Sequence, residues 1–252
     1  LRAGRPARPG HAVTIVIPHR FRGPNTSGNG GYSAGTVAAA LGRPLGPAEV
    51  TLQLPPPLDV ELPVVADADG VRIDSADGTV ALARSAALEL EVPEPVGFAA
   101  AEQASRDCPW LVDHPYPQCF VCGTERPDGL HIFPGPVAGR RVAAAPWVPD
   151  ATVCSDNGAA WPAVVWASVD CPSLFGYGCF EEWPALMLLG RFTAQVYRLP
   201  RLGEPCVAMG WALGHEGRKY DTAAALHTAE GELLAASRAR WITLKQPAPL
   251  PE

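Results

Sequence analysis

Residues 77–88 read DGTVALARSAAL and residues 230–242 read EGELLAASRARWI. Each begins with an acidic-Gly turn and continues as an apolar run broken by Arg or Ser, the pattern of a strand leaving a tight turn. The same ending closing both halves of a 252-residue chain marks an internal duplication. Working back from these endings, each half gives the order strand, helix, four strands. In the first half 12–18 reads as a strand, PNTSGNGG (24–31) supplies turn and helix-start chemistry, and YSAGTVAAAL (32–41) reads as a small-residue helix. Strands follow over 49–54, 60–66, 71–74 and 79–90, split by Pro- and Gly-rich turns. In the second half short strands over 130–133 and 142–145 precede a helix over 159–171, and strands follow over 186–199, 205–214, 220–228 and 232–244. The reading is an α+β chain with a first repeat over 1–95, a linker over 96–117 in which AAAEQAS forms a connecting helix, and a second repeat over 118–252.

Hydrophobic residues make up 47% and charged residues 18%, enough apolar material for a core shared by two small repeats. The net charge is -6 and no Lys/Arg block occurs, which argues against a nucleic-acid partner. The basic stretch 1–13 leads into only a short apolar run at 13–17, too short for a signal-peptide core or a membrane span. The expected location is the cytoplasm. Seven scattered cysteines fit free thiols there better than a disulfide framework. Cys119 and Cys122 form a CxxC with Cys108, His114 and His131 near in sequence, but the spacing matches no common four-ligand set. No metal is therefore expected, and the pair also lacks the strand-then-helix context of a redox motif.

Three stretches carry more specific information. They are NGGYSAG (29–35); CFVCGTERPDGLHIFPG (119–135), followed by VVWASVDCPS (164–173); and GRKYDTAAALHTAEGELLAASRARWI (217–242). In this order they resemble the hotdog-fold thioesterase superfamily. The resemblance implies a double hotdog, two fused repeats in which an antiparallel sheet wraps a long central helix. It also implies hydrolysis of an acyl-CoA or related thioester without metal or organic cofactor. That chemistry needs a carboxylate as base or nucleophile, and backbone N–H groups at a helix start to receive the oxyanion.

On that resemblance Asp170 is the candidate carboxylate, set in the second helix and facing the Gly30 and Gly31 amides of the first. Ala38 and Ala39 stand at the corresponding depth of the first helix, so a single composite site is expected. Asn29 would orient water or substrate, Tyr32 belongs to the same helix start, and Trp166, one turn before Asp170, would line the acyl site. Arg218 and Lys219 follow a turn and would meet the phosphates of coenzyme A. The residues alone leave other readings open: Asp170 as a helix-terminus residue before Pro172, the glycines as a plain turn, and Arg218 with Lys219 as a solvated hairpin. Related double-hotdog acyl-CoA thioesterases place an Asp where this chain has Gly190 or Arg191, and a Gln near Arg240. A non-catalytic acyl-CoA or fatty-acyl-binding protein is accordingly the alternative. Association into a homo-oligomer through exposed faces or sheet edges stays open.

Overall fold

The computed structural model describes residues 13–182 and 186–244. The first half contains β1 (Thr14–Ile15), α1 (Gly30–Ala40), β2 (Ala48–Leu52), β3 (Leu62–Asp67), β4 (Gly70–Ser75) and β5 (Gly78–Ser85). A connecting helix, α2 (Phe98–Arg106), leads to β6 (Gly135–Pro136), β7 (Ala143–Trp147), α3 (Pro162–Ser168) and α4 (Cys171–Gly178). The chain then closes with β8 (Met187–Val196), β9 (Cys206–Glu216), β10 (Lys219–Thr228) and β11 (Leu233–Thr243).

Among the described residues the strands form one antiparallel sheet in the order β1-β3-β4-β5-β2-β8-β11-β10-β9-β7-β6. Its middle is the β2–β8 pair, with Ala48 opposite Ala194 and Val50 opposite Phe192. Read outward from that pair, the first half runs β2, β5, β4, β3, β1 and the second runs β8, β11, β10, β9, β7. Each half thus places the strand after its helix at the centre and its last hairpin strand next to it. Val50, Phe192, Ala194, Leu226 and Leu234 are fully or almost fully buried beneath the helices, where the alternation of strand side chains directs them.

α1 is built from small residues because it must lie close to α3. A Cβ on Gly35 would stand 2.8 Å from Ala163 Cα and 2.9 Å from Trp166 Cβ, and one on Gly31 would reach Ala167 and Asp170. As α1 advances from Gly31 to Gly35, its partner recedes from Ala167 to Ala163, so the two helices run in opposite directions. This packing brings the start of α1 to the end of α3.

Two expectations from the sequence fail locally. The stretch 130–133 is not a strand but a loop, in which His131 adopts a left-handed backbone (φ 53°); the short strand lies instead at Gly135–Pro136. The helix expected over 159–171 is two helices, broken at Val169 and Asp170. Pro172 explains the break, since it has no N–H to give the Ser168 carbonyl that a continuous helix would require, while a proline is at home in the first turn of a new helix. Among the described residues no helix is long and apolar enough to cross a membrane.

Candidate active site

The break between α3 and α4 leaves Asp170 at the N-cap position of α4, yet its side chain makes no capping bond. The carboxylate turns instead to the start of α1. Its Oδ2 accepts from the Gly31 N–H at 2.8 Å and from Asn29 Nδ2 at 3.0 Å. Asn29 is itself the N-cap of α1, where its Oδ1 accepts from the Tyr32 N–H at 2.9 Å. That bond fixes the amide's orientation: with the oxygen on Tyr32, the NH2 must face Asp170. The other carboxylate oxygen, Oδ1, is buried with no hydrogen-bond partner among the described residues. Burial pushes the Asp170 pKa up to about 7, opposed by the Gly31 and Asn29 hydrogen bonds.

The site forms one end of a cavity of about 400 Å3, within the ordinary range for a small-molecule pocket. Leu52, Leu54, Phe175, Leu189 and Trp241 make apolar wall, whereas Asn29, Gly30, His114, Cys119, Asp170 and Cys171 supply polar groups. Among the described residues nothing accepts from the Gly30 N–H, because the first amides of a helix have no carbonyl behind them. Arg218 lines the cavity and is exposed, which places it at the rim; its Nη1 donates to the Thr243 carbonyl at 2.9 Å.

No protein-family model matches the sequence, and no curated protein matches it. Solved structures do. The tesB protein of Mycobacterium avium subs paratuberculosis superposes with a TM-score of 0.54 over 85% of this chain and 86% of that one, at 10% identity. The chain has a hotdog fold. A thioesterase superfamily protein matches over 50% of this chain and 61% of its own length, with a TM-score of 0.45 and 15% identity. A phenylacetic acid degradation-related protein from Ralstonia eutropha JMP134 matches over 45% of this chain and 86% of that one, with a TM-score of 0.41 and 13% identity. At such identities the likeness is one of fold.

Within this hotdog architecture Asp170, Asn29, Gly30 and Gly31 come together, but not in the roles the sequence suggests for all of them. The Gly31 amide is taken up by Asp170 and is not free for a ligand; the free amide belongs to Gly30. Trp166 does not line the cavity. It is fully buried under α1, donating from Nε1 to the Pro44 carbonyl at 3.0 Å and packing edge-on against Phe192. Trp166 and Asp170 both face α1, at Gly35 and Gly31 respectively, but only Asp170 reaches the cavity. The Tyr32 ring also lies outside the cavity lining, stacked on Phe21 with centroids 3.8 Å apart. Lys219, unlike Arg218, lies outside it too.

His114 and the cysteines are what sequence reasoning undervalued. The Tyr116 N–H donates to His114 Nδ1 at 2.9 Å, so the neutral ring carries its proton on Nε2, and that nitrogen is buried without a partner. Burial holds the ring's pKa below the usual value, opposed by nearby Cys119. Cys171 lies with its sulfur 3.7 Å from that of Cys119. No spacing signal links these residues, because the loop carrying 114–122 meets α4 only through the tertiary fold.

Proposed function

We propose that the protein is a thioesterase-like hydrolase built as a double hotdog, acting on an acyl-CoA or related thioester at one composite site between its repeats. The duplication is supported by the matching strand order on either side of the β2–β8 pair. The observation that carries the chemistry is the buried Asp170 carboxylate, clamped by Asn29 and Gly31 of the opposite repeat at the polar end of an apolar cavity. The acyl chain occupies the apolar part, and the thioester carbonyl approaches the Gly30 N–H. Asp170 Oδ1, the oxygen left without a partner, takes a proton from water as that water adds to the carbonyl, or attacks the carbonyl directly. The oxyanion is received by the Gly30 amide and the positive end of α1, with the His114 Nε2–H as a second donor. The thiolate then leaves as the carbonyl re-forms and takes up the proton held by Asp170; on the direct-attack route it takes a proton from water, and water hydrolyses the Asp170 anhydride to free the acid and the carboxylate.

A single site follows from what the mirror position lacks. α1 offers Ala38 and Ala39 where a base would stand, and α3 begins with Pro162, which has no N–H to give. The decisive experiment is thiol release from a panel of acyl-CoA substrates of graded chain length. Turnover of at least one is the expected result; saturable binding with no turnover across the panel would replace hydrolysis by the acyl-binding reading.

The rim position of Arg218 predicts a specific kinetic split. Exposed charge pairs are worth ~0.2–1 kcal/mol, so Arg218→Ala should raise KM about 1.4- to fivefold with kcat unchanged, and Lys219→Ala should change neither. A fall in kcat with KM constant would remove Arg218 from carrier binding.

A further inference from the structure

We infer that Cys119, Cys122 and Cys171 form a binding site for a zinc-class metal ion, with its fourth position directed to the cavity. The three sulfurs all lie within 4.8 Å of one another, and all three residues are buried and line the cavity. Zinc–thiolate bonds are about 2.3 Å long, so two sulfurs on one tetrahedral ion stand about 3.8 Å apart. The Cys119–Cys171 separation of 3.7 Å is that edge. It is also nearly twice the ~2.05 Å of a disulfide, so the pair is spaced for a shared ligand and not for a bond to each other.

The local structure holds the thiols as ligands are held. Gly123 N–H donates to the Cys119 carbonyl at 2.8 Å, which folds the CxxC back so that both sulfurs serve one point. A Cβ on Gly123 would stand 2.5 Å from the carbonyls of Cys119 and Pro117, so the turn demands glycine. Cys171 is the first residue of α4, at its positive end. Asn29 Nδ2 lies 3.8 Å from both the Cys119 and Cys171 sulfurs, the position of an outer N–H donor to metal-bound thiolate. Three soft sulfur ligands select zinc over magnesium or calcium.

The fourth ligand does not come from His114 as a neutral ring, because the bond from Tyr116 to Nδ1 leaves the proton on Nε2. Asp170 does not supply it either, since neither of its carboxylate oxygens lies within 4.8 Å of all three sulfurs. The fourth position is thus left to a small ligand from the cavity, which makes this an open site of the kind that binds water or a substrate atom. Metal binding here is independent of the hydrolase reading, and each is tested without the other.

The test is metal analysis of the full chain expressed with zinc and dialysed, followed by cobalt addition to the stripped protein. About one zinc per chain is expected, and cobalt should give a sulfur-to-cobalt charge-transfer band with intense tetrahedral d–d bands in the visible. Cys122→Ser should lower the charge-transfer intensity by about a third, one thiolate of three, while the far-ultraviolet circular dichroism keeps its wild-type shape. If Cys122→Ser does not fold, the wild-type cobalt spectrum alone decides. Failure to retain zinc together with no charge-transfer band overturns the proposal. So does finding fewer than the full seven thiols on unfolding without reductant, since a disulfide would then occupy the ligands.

Discussion

Replacing Asp170 with Asn lowers kcat by about 10^2- to 10^4-fold on any thioester the protein turns over, the range that general acid–base catalysis contributes, and leaves the melting temperature within a few degrees of wild type. The two effects separate on geometry. Asp170 Oδ2 is an acceptor for Gly31 and Asn29, and an Asn side chain of the same shape can turn its carbonyl oxygen to those donors. The packing of α1 on α3 therefore survives. What disappears is the carboxylate oxygen without a partner, Oδ1, replaced by an amide NH2 that can neither accept a proton nor attack. Removing one partner of a buried contact usually leaves the other unsatisfied and costs ~1–3 kcal/mol; the isosteric change avoids that. The measurement is steady-state thiol release beside thermal unfolding of both proteins. A variant that hydrolyses within about threefold of wild type would show that Asp170 is a structural clamp between the helices and that the reacting group lies elsewhere.

That alternative is worth weighing because the sequence left it open, and the structure shows why the sequence could not close it. The DCPS stretch reads equally well as a helix end and as a functional carboxylate. In fact Asp170 does occupy a helix N-cap, so the structural reading of its position is correct. Its side chain, however, bonds to residues 139 and 141 positions away, and no local pattern carries that information. The strands fared differently. Alternation and turn chemistry are local properties, and the repeated acidic-Gly turns place β5 and β11 correctly within a few residues. The fold class of the large antiparallel sheet with few helices was therefore legible. The cavity lining was less legible: one-turn spacing puts Trp166 and Asp170 against the same helix, α1, but does not say how far the cavity extends along it, and Trp166 lies beyond its lining. The cysteine trio escaped because two members share a loop and the third starts a helix far along the chain, so metal-ligand spacing rules had nothing to match.

The second large effect is expected at Gly31. By helix propensity alone, Gly31→Ala should stabilise α1 by up to ~1 kcal/mol. The surroundings reverse the sign. An added Cβ would overlap Asp170 Cβ and stand 2.8 Å from the Trp166 carbonyl oxygen and 3.0 Å from Ala167 Cα. Two of these three neighbours are backbone of the packed helix and cannot rotate away, so the helices must separate. Overpacking of this kind costs ~1–3 kcal/mol and occasionally more, which for a chain of this size lowers the melting temperature by about 2–4 °C per kcal/mol. Gly31→Ala should thus melt several degrees below wild type. It should also lose activity, because the atom it displaces first is the Cβ of Asp170, and a shift of about 1 Å at a reacting group can cost 10^2-fold. Gly35→Ala supplies the control. Its Cβ meets Ala163 and Trp166, not Asp170, so it should destabilise comparably while kcat stays closer to wild type. Thermal unfolding and thiol release on the two variants separate helix spacing from carboxylate placement. If Gly35→Ala loses as much kcat as Gly31→Ala, loosening of the α1–α3 contact accounts for both losses, and the position of Asp170 against the start of α1 has no role of its own in the rate.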